Sequence, residues 1–302
     1  MKALVEYVLQ NSRQATSIAL AAVLLSLLGL PFLGAVAAVV LALVTLRHGP
    51  REGLKILVWI AIPSIGLMLS HHLGIGLQRF FGGYFLIWLF AAVLCRSVCW
   101  QRVLQLTWVL GCLVVLGVHL IVPEVQALWL ITLQAFAKSM SLSFPQMKTP
   151  LPLDYLQVMA SLMTGVVYMI SALNALFYLW VARLLQASLY HPGGVSAELS
   201  QLSLDKLSSG VLLLVLIGAF TVGGLFLDLL PVVVLPFTLT GLCLVHSFIA
   251  PAKQGAKRRL GLFVIFYTVF LLFLFYMAVM LAVIAAIDTW FDLRSGKLRL
   301  QF

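Results

Sequence analysis

From Tyr155 to Ala182, and again from Leu260 to Ile287, the chain runs without one charged side chain. Similar charge-free stretches cover Ala15–Leu46, Ile56–Ser70, Phe80–Cys95, Val103–Val118, Leu207–Leu227 and Leu229–Ala252. An apolar run of about 18 residues or more is the usual mark of a membrane-crossing helix. Backbone amides in hydrocarbon must pair within their own segment, so runs of Leu, Val, Ala and Phe predict helices rather than strands. The expected fold is therefore all-α: a polytopic helical membrane protein with eight or nine transmembrane helices, some of them short or broken.

The predicted spans are Ala15–Leu30, Leu33–Leu46, Leu54–Ser70, Gly82–Cys95, Val103–Val122, Tyr155–Leu185, Leu207–Leu230, Val232–Ala250 and Leu260–Ile287. Proline disfavours helix in the residue before it, which puts a break at Leu30-Pro31; one kinked helix there would reduce nine spans to eight. Val125–Ala137 contains Gln126, Thr132 and Gln134 and reads as an interfacial helix. Ser139–Leu153, with Pro145, Pro150 and Pro152, is the longest irregular stretch. No internal repeat or long linker divides the chain, so residues 1–302 read as a single integral membrane domain.

Composition agrees with this picture. Charged residues are 9% and apolar residues 63% of the chain, where a soluble domain carries about 25% charged residues. The net charge of +10 sits in single residues or short groups at the ends of apolar runs, where lipid headgroups and the orientation rule account for it. It forms no aromatic-interleaved stripe for nucleic acid. With the Arg47–Lys55 and Lys253–Arg259 turns in the cytoplasm, 13 of the 19 Lys and Arg lie inside. If Val125–Ala137 also crossed, that number would be 12, so helix length rather than charge decides the topology. The four cysteines (Cys95, Cys99, Cys112, Cys243) lack disulfide or zinc spacing and read as small apolar fillers.

Ionisable side chains are scarce within the spans, and those present fall near helix ends: His71, His72, His119, Asp228 and His246. The first four all map to the outer face. Helix-end groups of this kind commonly just meet interfacial water, but three imidazoles and a carboxylate also suit a solute vestibule or a metal site. We assign no metal and take His71, His72, His119, Asn174 and Asp228 as the candidate solute-binding set. Asn174 is the most interior polar side chain and is expected to face another helix, as packing glue or as a ligand contact. Gly223-Gly224 precedes Asp228 and is a candidate helix break, against the alternative of a tight hairpin around Pro231.

There is no Gly-x-x-x-x-Gly-Lys-Ser/Thr loop, no His-Glu-x-x-His helix and no Gly-x-Ser-x-Gly elbow, and Asp288 and Asp292 are placed beyond the last span. No catalytic residue and no cofactor is assigned, and an enzyme is the least favoured class. Arg47, Arg51 and Arg183 mark cytoplasmic helix ends suited to lipid phosphates or to a partner protein.

Three segments carry a family resemblance: Thr45-Leu-Arg-His-Gly-Pro-Arg-Glu-Gly-Leu54, Ala182-Arg-Leu-Leu-Gln186 with His191-Pro-Gly-Gly194, and Asp288-Thr-Trp-Phe-Asp-Leu-Arg294. Together they resemble the YybS-like family of bacterial inner-membrane proteins. The resemblance implies a multi-pass location in that membrane and a helical pattern similar to the substrate-binding membrane subunits of energy-coupling-factor importers. It brings no catalytic residues and no defined ligand. Two functions follow as expectations. One is solute binding or transport without an ATPase of its own; the other is a structural or assembly role beside a membrane or cytoplasmic protein partner, with the lipid bilayer as the common environment.

Overall fold

The computed structural model describes residues 11–69, 73–143, 152–190, 194–249 and 256–291, and among them all regular structure is helical. The helices are α1 (Ser12–Leu27), α2 (Leu33–His48), α3 (Pro50–Leu69), α4 (Leu73–Leu77), a π-helical stretch (Gln78–Phe85) and α5 (Leu86–Ser97). They continue with α6 (Trp100–Ile121), α7 (Val125–Ser143), α8 (Leu153–Ala160), α9 (Met163–Tyr190) and α10 (Gly194–Ser200). The last four are α11 (Lys206–Thr221), α12 (Leu225–Ile249), α13 (Ala256–Leu272) and α14 (Leu274–Phe291). Among the described residues, five helical segments are long and apolar enough to cross a membrane: Gln78–Ser97, Trp100–Ile121, Met163–Tyr190, Leu225–Ile249 and Leu274–Phe291. The architecture is thus that of a helical membrane protein.

The contacts divide the chain into two compact units, Met1–Leu106 with Ile170–Leu202, and Thr107–Met169 with Ser203–Phe302. In the first unit, Asn11 caps α1 by accepting a hydrogen bond from the Arg13 amide, and α1 packs on α2 and α3. α2 is buried on nearly every side through Ala37, Ala38, Leu41, Ala42 and Val44, as expected of a helix that is apolar all round. Its alanines let neighbouring backbones approach, which matters because lipid is as apolar as the core and dispersion replaces the hydrophobic drive. Gly82 opens the π-helical stretch to α9, since a Cβ there would lie 2.9 Å from the Ser171 hydroxyl.

In the second unit, α12 packs on α11 and α14. Gly241 faces the Leu281 backbone so closely that a Cβ would collide with its carbonyl. Thr238 donates to the Ala278 carbonyl at 2.9 Å, and Tyr168 donates to that of Thr107 at 2.7 Å. Two indoles hold the start of α11: Trp108 donates to Ser208 at 3.1 Å and Trp290 to Ser209 at 3.0 Å.

The expected break at Leu30-Pro31 is present between α1 and α2. Other boundaries differ. The chain turns at Gly223-Gly224, whose φ angles of 68° and 51° glycine adopts without steric cost, and not at Pro231. Pro231 and Pro236 lie inside α12, as proline can in membrane helices. The long run from Tyr155 is interrupted after Ala160, and that from Leu260 at Phe273, across which helical hydrogen bonds continue. α7 extends to Ser143, beyond the expected Ala137, and remains outside the five long apolar helices.

Candidate functional site

The first unit contains a cavity of about 430 Å³ lined by Arg47, Tyr190, Arg183, Gln186, Ala187, Gly194 and Glu198. Local chain chemistry explains why these residues meet. α2 stops after Arg47-His48 because Gly49 takes φ 93°, and Pro50 restarts the chain as the first residue of α3. The Trp88 indole donates to the Pro50 carbonyl at 3.0 Å, which holds this turn in place. On α9, Gln186 and Ala187 follow Arg183 by three and four residues and precede Tyr190 by four and three, so the four share a helix face.

Electrostatics within the cavity are uneven. Arg183 donates to Glu198 Oε1 at 2.5 Å, to Oε2 at 3.4 Å, and to Gln186 Oε1 at 2.8 Å. Trp100 Nε1 also donates to Glu198 Oε2, at 3.1 Å. Both oxygens of Glu198 are therefore engaged. Trp100 reaches this position from a tight link in which Val98 sits in the left-handed region at φ 51°, a conformation that costs a β-branched residue on the order of 1–3 kcal/mol.

Arg47 is different. Its guanidinium lies over the Tyr190 ring, 4.7 Å from the centroid, and among the described residues it has no carboxylate partner. The acidic residue of its own turn, Glu52, pairs with Lys55 at 2.5 Å. That hydrogen bond holds the Glu52 carboxyl below its ordinary value. An exposed cation–π contact is worth only about 0.5–1 kcal/mol, against ~1.5–3 kcal/mol for hydrogen bonds to a charged group. An anion entering the cavity can accordingly draw Arg47 off the ring. The lining, with two guanidiniums and one already neutralised carboxylate, favours negative charge.

The second unit holds a different polar cluster. Asp228, only 2% exposed, accepts from the Gly165 amide at 2.7 Å, with Thr164 beside it. Trp129 donates in turn to the Thr164 hydroxyl at 3.0 Å. Thr164 and Gly165 belong to the first turn of α9, so Asp228 supplies from another helix the anion that orphan N–H groups require. His119 Nε2 stands 3.8 Å from Asp228 Oδ2, outside hydrogen-bond reach. Its Nδ1 lies 3.0 Å from the Val115 carbonyl, which can only accept, so the proton sits on Nδ1. The carboxylate here is buried and closes a helix end.

The sequence-derived candidates thus divide. His119 and Asp228 come together, whereas His71 and His72 lie outside the described residues. Arg47 and Arg183 meet in the cavity, while Arg51 is exposed and does not line it. The expectation that Asn174 faces another helix is corrected within this chain: the residue is exposed, and its amide donates to the Ile170 carbonyl of its own helix at 3.0 Å. Asp228 and Asp288 are both buried, at 2% and 4% exposed. Asp288 lies inside α14 and not beyond it.

Sequence reasoning missed Glu198, Trp100, Tyr190, Gly165 and Thr164. Only the Arg183, Gln186, Tyr190 spacing could have signalled any of them. Among the described residues no three His, Cys, Asp or Glu side chains cluster as metal ligands. Comparison with known protein families, curated proteins and solved structures returns no match.

Proposed function

We propose that this protein is a solute-binding or transport-related membrane protein that takes an anionic ligand between Arg47 and Arg183. The observation that carries the reading is the Arg47 guanidinium, paired among the described residues with nothing stronger than a tyrosine face, at the rim of a cavity of about 430 Å³. Arg183 supplies a second, fixed guanidinium, and Tyr190 with Ala187 offers apolar surface for the rest of the ligand. With no P-loop, the chain works without its own ATPase. The same proposal places it in the bacterial inner membrane, as a YybS-like protein with eight or nine spans.

The test is native mass spectrometry of protein extracted in mild detergent, comparing wild type with Arg47→Ala. A recurrent bound anion is expected, with its affinity reduced roughly 10–100-fold in the variant, as the loss of a charge-assisted contact implies. Absence of any bound anion, or equal retention by Arg47→Ala, overturns the proposal. Orientation is checked separately with single cysteines in the Arg47–Lys55 turn. They should resist an impermeant thiol reagent in intact cells and react after permeabilisation; ready labelling in intact cells would reverse the topology.

An assembly role is the second reading. It is favoured by one specific observation, the exposed Asn174 amide on an apolar helix face.

A further inference from the structure

Asn174 stands 11 residues after Met163 and 16 before Tyr190 in the 28-residue α9. At ~1.5 Å per residue it lies roughly 4 Å from the helix midpoint, close to the centre of a hydrocarbon layer ~30 Å thick when α9 crosses it. An amide offers two N–H donors and an oxygen with two lone pairs. In this chain one N–H reaches the Ile170 carbonyl, and the oxygen has no partner among the described residues. The side chain is too short to reach headgroups from that depth, as lysine or arginine can. An amide left this way in hydrocarbon is costly, so a polar group from another helix has to meet it.

The surrounding face shows what kind of helix that is. Ile170, Phe177 and Leu184 are exposed and Val181 is half-buried, and with the exposed Asn174 they follow at intervals of four, three, four and three residues, a heptad seam that contains the amide. Such a seam packs best on a helix carrying the same repeat. Copies of one chain insert into a membrane with the same orientation, so a two-fold axis between them runs along the membrane normal. Around that axis α9 meets α9 in parallel, and Asn174 faces Asn174 at equal depth. The amide is complementary to itself, each donating an N–H to the other's oxygen, which satisfies both partners at once. We propose that the occupant of this face is a second copy of the chain, and that α9 is the seam of a homodimer held in register by an Asn174 pair.

The experiment measures the mass of the full chain in lipid nanodiscs and in mild detergent. Wild type and Asn174→Gln, which keeps the amide, should be dimeric, and Asn174→Leu should dissociate at least tenfold more readily. A folded Asn174→Leu that stays as dimeric as wild type, or a wild type that is monomeric throughout, overturns the proposal. Should Asn174→Leu fail to fold, a photo-crosslinking amino acid at Phe177 in native membranes decides instead. A covalent adduct of twice the chain mass is the expected product. An adduct with a different protein, or with lipid alone, refutes the homodimer.

Discussion

Gly165→Ala is expected to destabilise the protein severely, by about 3 kcal/mol or more, at the upper end of the range for overpacking. A Cβ at this position would run into the backbone carbonyl oxygen of Asp228, with the carbonyl carbon at 3.0 Å and the carboxylate oxygen at 3.3 Å. Backbone cannot swing aside as the tip of a flexible side chain can. The start of α9 would have to leave α12, and the 2.7 Å hydrogen bond between them would go with it. Gly117 and Gly261 provide the controls, because a Cβ at either meets nothing within 4 Å. Alanine at those two helical positions should be neutral or stabilising by up to ~1 kcal/mol. Thermal unfolding in one detergent compares all three; a Gly165→Ala midpoint matching wild type would show that this contact is not close in the folded protein.

Asp228→Ala is expected to cost nearly as much for a different reason. Nothing collides, but the first turn of α9 loses the acceptor that serves the Gly165 amide. Each buried donor left unsatisfied costs about 1–3 kcal/mol. Asp228→Asn keeps one oxygen to accept from Gly165 and should fall between the alanine variant and wild type. His119→Ala should be milder still, because its ring stands 3.8 Å from the carboxylate and its side chain is 24% exposed. The order of midpoints is therefore wild type, His119→Ala, Asp228→Asn, then Asp228→Ala. If His119→Ala proved as damaging as Asp228→Ala, the ion pair rather than the helix cap would be the source of stability.

Asp228 illustrates how far sequence reading reached. It stood out because a carboxylate next to an apolar run is rare, and for the same reason it was linked to His119, which the structure places beside it. Its role was not legible. The residue it serves, Gly165, carries no charge and sits inside an apolar run that signals only helix. Likewise Arg47 and Arg183 were visible as basic helix ends, but nothing local in either segment announces that one reaches a carboxylate and the other an aromatic ring. The misplacement of the turn after α11 has a local cause. Pro231 is a helix breaker by propensity, yet proline is tolerated inside a membrane helix. Gly223-Gly224 can instead take the positive φ angles that reverse the chain.

What the sequence by itself determined is the class of structure and its coarse punctuation. Runs without charge leave the backbone no hydrogen-bond partner except itself, and that restricts the answer to apolar helices. The break at Leu30-Pro31 and the basic ends of α2 and α9 follow from single-residue chemistry. Only the tertiary structure decided which face of each helix is covered. In a soluble protein the periodicity of apolar positions announces the buried side. In this chain the surroundings are as apolar as the core, so that signal is absent and Asn174 could be assigned inward on cost alone. Its exposure, the meeting of Arg47 with Arg183, and the seating of Asp228 on α9 depend on how helices distant in sequence pack, and on small residues such as Gly165 and Gly241 that let two backbones touch.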